Sequence, residues 1–137
     1  MNFKILIVSA NYYYNISKDL VGDAKLTLIE SKVRHETIDV PGVFEIPVVI
    51  AKNINKYDGF IALGCVIKGE TPHFDFISKT TIDAIMKLSV ESKKPIGNGI
   101  LTCINLSQAH VRSDPNGKKR KGKEAAEAVL SVLDFKT

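Results

Sequence analysis

The run GFIALGCVIKGETPHF, from Gly59 to Phe74, decides the fold. Its first part is apolar or small throughout, without the alternation of a half-exposed strand, which predicts a β-strand covered on both faces. The strand exit passes through Gly69, whose missing side chain permits a tight turn. Thr71 and Pro72 have the residue types of a helix N-cap and a first helical position, so the run also predicts a helix start.

Three further apolar segments predict strands, and helical periodicity fills the gaps between them. The predicted strands are Phe3 to Ala10, Val33 to Val40, Gly59 to Ile67 and Ile96 to Thr102. Apolar residues recur at helical spacing from Ile16 to Leu28, Phe44 to Ile54, Phe74 to Leu88 and Ala125 to Leu133. Asn105 and Gln108 have the residue types of a capping box, which predicts one more short helix. The alternation favours a flavodoxin-like three-layer α/β/α sandwich with a four-stranded parallel sheet, formed by a single domain over residues 1–137.

The composition is that of an ordinary globular protein. Hydrophobic residues make up 45% and charged residues 25% of the 137 residues, and no apolar run approaches the roughly 18 residues that cross a bilayer. The first residues enter a strand without the features of a secretion signal, so a cytoplasmic location without membrane contact is expected. Cys65 and Cys103 lie inside apolar stretches and are expected to be buried free thiols rather than a disulfide or metal ligands.

The net charge of +4 is concentrated in one segment. Six basic residues and one acid lie between Arg112 and Lys123, a local net charge of +5, so the rest of the chain sums to −1. This distribution excludes a generally basic nucleic-acid binder. Three interpretations of the segment stay open. The first is a solvated loop, and the second is a localisation or nucleic-acid patch at Lys118 to Lys121. The third is that one or two of its cations bind an anionic substrate.

Ligands of open parallel sheets bind beyond the carboxyl ends of the strands. The loops at those ends are Asn11 to Asn15, Pro41 to Glu45, Lys68 to His73 and Cys103 to Asn105. The first loop holds three of the four tyrosines, whose rings suit either stacking on a flat heterocycle or packing. Gly42 in the second loop can take a positive φ. Glu45 suits equally a contact with the helix dipole and a hydrogen bond to a polyol.

His73 is predicted in the first turn of the third helix. A helix start whose free N–H groups face the ligand zone is a natural anion site. The helix dipole disfavours a charged imidazole there, and a neutral imidazole can accept and return a proton. A structural histidine is the alternative. The chain lacks a Rossmann fingerprint, a P-loop, a nucleophile elbow and clustered metal ligands, which argues against nucleotide-dependent and metal-dependent chemistry.

Several blocks together resemble the lumazine synthase family of riboflavin biosynthesis. They are VPGVFEIP at Val40 to Pro47, ALGCVIKGETPHFDFI at Ala62 to Ile77, PIGNGILT at Pro95 to Thr102, and then LSQAHVR and KGKEAAEAVL. The resemblance covers nearly the whole chain. It implies a transferase that condenses 5-amino-6-(D-ribitylamino)uracil with 3,4-dihydroxy-2-butanone 4-phosphate, without a cofactor or a metal. The product would be 6,7-dimethyl-8-ribityllumazine.

The resemblance also implies roles for individual residues. His73 matches the proton-transfer residue. Tyr12 matches the residue that stacks on the pyrimidine, and Arg112 matches a phosphate-binding arginine. Glu45 would accept hydrogen bonds from ribityl hydroxyls, the backbone of the turn at Glu70 and Thr71 would bind phosphate, and Lys121 would lie near the pyrimidine. Further substrate contacts are implied for Val43, Phe44, Val66, Ile67 and Asn98. Sites of the family lie between subunits, so Asn98, Arg112 and Lys121 would serve a neighbour's site.

The chain departs from the family pattern in three places. Its first strand ends in Asn11-Tyr12-Tyr13, where Arg-Phe-Asn is usual, and Asn98 stands where a second aromatic residue is common. The loop from Arg112 to Lys121 is one residue longer than in shell-forming members, and the extension that precedes the first strand in those members is absent. These features favour a homopentamer over the alternative shell of sixty subunits.

Three other functions stay open. An archaeal-type riboflavin synthase would act on two lumazine molecules. A flavin-binding or phosphate-sensing module would bind without turnover. A nucleic-acid protein would act through Lys118 to Lys121, with a steeply salt-dependent affinity, although the charge distribution argues against a nucleic-acid partner.

Overall fold

A computed structural model describes residues 2–134 and contains all four predicted strands. They are β1 (Lys4–Ala10), β2 (Arg34–Val40), β3 (Gly59–Ile67) and β4 (Ile96–Cys103). Neighbouring strands are parallel and lie in the order β2-β1-β3-β4. This is the order of the first four strands of a flavodoxin-like sheet, so the predicted fold class is confirmed. The ends of the predicted domain, residue 1 and residues 135–137, lie outside the described residues.

Helices cover both faces of the sheet. They are α1 (Tyr14–Glu30), α2 (Ile46–Lys52), α3 (His73–Ser92), α4 (Leu106–Ser113) and α5 (Lys121–Leu133), with a 3₁₀ turn at Val43–Glu45. Residues of α1, α4 and α5 share a core with one face of the strands, and residues of α2 and α3 share a core with the other face. Within residues 2–134, no helix combines the length and the apolar character that crossing a membrane requires.

The central strands account for the two cores. Residues 59 to 66 of β3 are all buried, which confirms the prediction made from its continuous apolar run. Successive side chains of a strand point to opposite faces. Ile61 and Leu63 therefore pack toward α1 and α5, whereas Phe60 and Ala62 pack toward α2 and α3.

Helix ends differ from the periodicity in three places. The second helix stops at Lys52, so Ile54 lies beyond it, where it still packs on the core. Val132 is 53% exposed because Leu133 takes the inward position at the end of α5. The third helix begins at His73, and Pro72 occupies the N-cap position. The prediction that Thr71 is the N-cap and Pro72 the first helical residue is therefore wrong by one position.

The cap of α4 forms as predicted from its sequence. The side-chain oxygen Oδ1 of Asn105 accepts a hydrogen bond of 2.9 Å from the backbone N–H of Gln108. The side chain of Gln108 reaches back and accepts from the N–H of Ile104 at 2.9 Å. The reciprocal bond thus lies one residue earlier than in the standard capping box.

Candidate functional site

A concave pocket opens beyond the carboxyl ends of β1 and β3, the point where the strand order reverses. Ligands of doubly wound sheets bind at such a point. The cavity measures about 470 Å³, within the size range of small-molecule sites. Three of the four predicted loops and the end of β3 contribute its walls. The lining residues are Tyr12, Tyr13, Gly42, Val43, Phe44, Cys65, Val66, Ile67, His73 and Ile77.

Aromatic rings from two loops border the pocket. The ring of Tyr12 is 77% exposed, and that of Phe44 is 59% exposed. Tyr13 lies edge-on to Tyr12, with ring centroids 5.0 Å apart and planes at 79°. Tyr13 packs against the core, and burial raises the pKa of its hydroxyl. The packing interpretation is therefore confirmed for Tyr13, while Tyr12 and Phe44 present open faces that a flat ligand can cover.

The turn that carries Phe44 is held against the sheet through Gly64. A Cβ atom at Gly64 would lie 2.7 Å from Cγ1 of Val43 and 3.1 Å from Cβ of Ala10. The bare backbone of β3 therefore leaves the space that Val43 fills, and Val43 is buried there. This contact fixes the height of Phe44 and Glu45 above the sheet. The glycine belongs to the fold-deciding run, but its contact with Val43 joins two segments that are distant in sequence.

Gly42 has a different role from the one predicted. Its φ is −148°, an extended conformation that any residue adopts, and no glycine within residues 2–134 has a positive φ. A Cβ atom at this position would lie 3.3 Å from Oε1 of Glu45. The glycine therefore permits close approach of the Glu45 carboxylate. Gly42 lines the pocket, whereas Glu45 itself does not.

His73 is the first residue of α3, and its side chain is exposed at the pocket. Its backbone N–H donates to Oγ1 of Thr71 at 3.4 Å. Glu70 and Thr71 precede it in an exposed turn and do not line the pocket. The N–H groups of Asp75 and Phe76 donate to the carbonyl oxygen of Pro72, so the attraction of this turn for an anion rests on the partial positive charge of the helix start.

The structure brings together half of the predicted site residues. Those that line the pocket are Tyr12, Val43, Phe44, Val66, Ile67 and His73. Those that lie outside it are Glu45, Glu70, Thr71, Asn98, Arg112 and Lys121. None of the described lining residues is a lysine or an arginine.

Asn98, Arg112 and Lys121, which follow β3 in the sequence, each contact other residues of the chain. Asn98 is exposed on the edge strand β4, and its Oδ1 accepts from the N–H of Ile100 at 3.0 Å. Arg112 donates to Oε1 of Gln108 at 3.3 Å and contacts the sulfur of Cys103 at 3.4 Å. Lys121 lies 3.2 Å from a carboxylate oxygen of Glu124. None of the three lines the pocket of the same chain.

Both thiols are free and buried, as predicted. Burial, and to a smaller extent the nearby Cys103, raise the pKa of Cys65 to about 12. Cys65 touches the pocket, but it is a thiol rather than a thiolate at neutral pH, and the thiolate is the nucleophile. The geometry therefore assigns it a packing role.

Sequence reasoning missed several residues of the pocket and one ion pair. Ile77 lines the pocket one helical turn after His73, a spacing that marks the same helix face. Asp23 pairs with Arg120, and its side chain is fully buried. The signal for Asp23 is its place beside Leu20 and Ala24 on the apolar stripe of α1, where a lone carboxylate needs a partner.

Within residues 2–134, no group of three or more histidine, cysteine or acidic side chains is placed to hold a metal ion.

Comparisons with known proteins agree with one another. A family model described as 6,7-dimethyl-8-ribityllumazine synthase matches residues 2–137. A protein of that name from Bartonella bacilliformis is similar to this chain, with 44% identity over 99% of the chain and 91% of the relative. The namesake from Novosphingobium aromaticivorans is 45% identical over 95% of the chain and 94% of its own length. The protein of that name from Agrobacterium fabrum is 42% identical over 96% of the chain and 93% of its own length.

Proposed function

The chain belongs to the 6,7-dimethyl-8-ribityllumazine synthase family, and from this premise we propose that the pocket beyond β1 and β3 is the chain's half of an active site shared between copies. The reaction joins 5-amino-6-(D-ribitylamino)uracil to 3,4-dihydroxy-2-butanone 4-phosphate in riboflavin biosynthesis. One observation carries the proposal. Two exposed aromatic rings and one histidine border the same cavity at the strand switch point.

The uracil ring lies between the open faces of Tyr12 and Phe44. Both rings are largely exposed without a ligand, and offset stacking on a heterocycle removes apolar surface from water. Val66 and Ile67 at the end of β3 form the floor of the pocket. The hydroxyl of Tyr12 keeps access to solvent, which satisfies the polar atom that a phenylalanine lacks.

The ribityl chain lies along the turn that contains Glu45. A carboxylate accepts hydrogen bonds from hydroxyl groups and donates none. One carboxylate oxygen of Glu45 lies close to Gly42, 3.3 Å from the position that a Cβ atom would take there, and Gly42 lines the pocket. A ribityl chain that extends from the pocket past Gly42 would meet this acceptor.

His73 transfers protons. An amine of the uracil attacks the ketone, loses a proton and forms an imine with release of water. Phosphate leaves, the resulting enol tautomerises, and the second amine closes the ring with loss of a second water. A neutral imidazole in the pocket can take the amine proton and return it to a leaving oxygen. Both reactants are intrinsically reactive, so fixing them side by side supplies much of the acceleration without a cofactor.

The phosphate lies at the start of α3, next to Glu70 and Thr71. The helix start there favours an anion, but none of the described residues that line the pocket is a lysine or an arginine. A phosphate monoester carries between one and two negative charges at neutral pH, which the chain's own pocket leaves without a paired cation. We assign the missing charge to Arg112 of a second copy, with its Lys121 near the pyrimidine and its Asn98 at the shared wall.

Self-association has further support in exposed apolar side chains. Phe76, Met86 and Val90 of α3 are each more than 60% exposed, and so is Ile104 after the edge strand β4. Met86 and Val90, four residues apart, lie on one face of α3, and contiguous apolar surface on a globular protein marks an interaction site. We propose a closed ring of five copies, the alternative being a shell of sixty.

One assay separates this function from its rivals. The purified protein is mixed with both substrates, and lumazine formation is followed by absorbance. Riboflavin formed from lumazine alone would instead indicate a riboflavin synthase. Binding without product would indicate a sensor, and affinity for duplex DNA that falls steeply with salt would indicate a nucleic-acid protein. Light scattering on the same sample measures the assembly, since five chains of 15.1 kDa give about 76 kDa.

A further inference from the structure

We propose that the buried ion pair between Asp23 and Arg120 positions Lys121, holding it in the orientation that reaches a second copy's pocket. The inference rests on the role proposed above for Lys121. It makes Asp23 and Arg120 positioning residues of the reaction, although neither touches substrate.

The ion pair is bidentate and well shielded. Nη2 of Arg120 lies 2.6 Å from Oδ1 of Asp23, and Nε lies 3.1 Å from Oδ2. The Asp23 side chain is 0% exposed and that of Arg120 is 28% exposed. Paired hydrogen bonds between a guanidinium and a carboxylate fix both distance and orientation. Because a buried carboxylate without a partner is strongly unfavourable, the start of α5 is tied to the middle of α1.

The backbone at Arg120 needs this tie. Its φ of 34° and ψ of 65° lie in the left-handed region, which is costly for a residue with a long side chain and persists only where the surroundings enforce it. This residue immediately precedes α5. A change at this position would alter the direction in which the helix begins.

Lys121 is held from both sides. Arg120, before it, is bound to Asp23, and Gly122, after it, packs directly on α1. A Cβ atom at Gly122 would lie 2.3 Å from the backbone oxygen of Leu20, so the two helices approach as closely as their backbones permit. Lys121 therefore leaves its segment from a backbone fixed on α1, and its ammonium group lies 3.2 Å from a carboxylate oxygen of Glu124 in the following turn of α5.

The same anchor limits the preceding basic loop. Residues 114 to 120 contain no helix or strand, so Arg120 is where this loop is fastened. Lys118 and Lys119 are exposed, and we leave them outside the site. Lys118 and Lys119 are thus solvated cations, Arg120 is a structural cation, and Lys121 is the cation proposed to act in the site.

The test removes both charges of the pair together, so that no buried charge is left unpaired. The variant D23A/R120N places alanine in the helix and asparagine, which tolerates the left-handed region, at position 120. We expect the KM for the ribitylaminouracil to rise about fivefold with kcat within about twofold, because a misplaced charged contact weakens binding. The variant K121M should raise the same KM about tenfold.

A double-mutant cycle distinguishes positioning from general stability. If the ion pair acts through Lys121, the triple variant D23A/R120N/K121M has the same KM as K121M within about twofold. An unchanged KM in D23A/R120N, or effects of the pair and the lysine that multiply, would overturn the inference. A wild-type KM in K121M would remove the role of Lys121 and this inference with it, whereas lumazine formation by the unmodified protein tests the proposed function separately.

Two further variants complete the design. K4M/E36Q removes a second ion pair, 3.0 Å long, at the amino end of the sheet, and should leave both KM values unchanged. If far-UV circular dichroism shows that D23A/R120N does not fold, R120K replaces it. Lysine keeps the charge but offers a single ammonium to the carboxylate, so the KM for the ribitylaminouracil should rise about threefold. A wild-type KM in folded R120K would then count against the inference.

Discussion

Replacing Gly64 by alanine tests how the second loop is placed over the pocket. The added Cβ would lie 2.7 Å from Cγ1 of Val43, whereas carbon atoms settle at about 3.5–4.0 Å. Val43 must therefore retreat by about 1 Å, and Phe44 and Glu45 move with it. We expect a loss of stability of about 1–3 kcal/mol from overpacking, and a loss of kcat/KM of about ten- to a hundredfold from misplaced substrate contacts.

The assay compares G64A with two matched variants. G22A makes the same chemical change within α1, where a Cβ atom would meet nothing within 4 Å. It should stabilise the protein by about 0.5–1 kcal/mol, because glycine is unfavourable in a helix. V43A combined with G64A removes the clashing methyl groups and should recover part of the lost stability. Urea denaturation measures the free energy of unfolding, and lumazine absorbance measures the rate.

Wild-type stability and wild-type kcat/KM in G64A would refute the reasoning. A loss of stability with full activity would show that the turn moves without carrying the substrate contacts, and would remove Val43 from the site. A loss of activity in G22A as well would indicate that any added methyl group disturbs the protein.

Three further predictions concern single residues. His73→Ala should lower kcat more than it raises KM, about a hundredfold if it removes general acid–base catalysis; an unchanged kcat would reject its proton-transfer role. Arg112→Ala should raise the KM for the sugar phosphate by about tenfold or more, since it removes a charged hydrogen bond, and a change confined to the KM of the uracil would contradict this. Cys65 should resist iodoacetamide at pH 8 in the native protein, because its pKa of about 12 leaves about one thiol in ten thousand ionised. Mass spectrometry should show it modified only after unfolding in urea, and rapid native modification would refute the assignment.

The sheet could be predicted from the sequence because the residues of β3 have the apolar or small side chains that their buried positions require. A strand buried on both faces needs apolar or small side chains at every position, and residues 59 to 67 meet that condition. Helix ends were less predictable. Ile54 and Val132 both fit the periodicity, but tertiary packing decides where a helix stops and which neighbour turns inward.

The candidate site was predictable only where it is local in sequence. His73 follows from a strand, a turn and a helix start within one run. The contact between Gly64 and Val43 depends on two segments that meet only after folding. The pairing of Asp23 with Arg120 spans 97 residues, and neither residue type signals a partner at that distance. The sequence therefore left three interpretations of the basic segment open. The structure adds that Arg120 forms a buried ion pair, which distinguishes it from the other cations of the segment.

The division of the proposed site between copies follows from the sheet itself. Phe44 and His73 come from elements that pack with α2 and α3, whereas α4 and α5, which carry Arg112 and Lys121, pack on the opposite face. The sheet thus lies between Phe44 and His73 on one face and the helices that carry the chain's own Arg112 and Lys121 on the other. A second copy that presents its α4 and α5 side to the pocket can supply the positive charge and cover exposed apolar surface in one step. Assembly and substrate binding are then linked, because each covers apolar surface that is exposed in the isolated chain. The substrate covers the aromatic rings of the pocket, and the neighbouring copy covers the exposed side chains of α3.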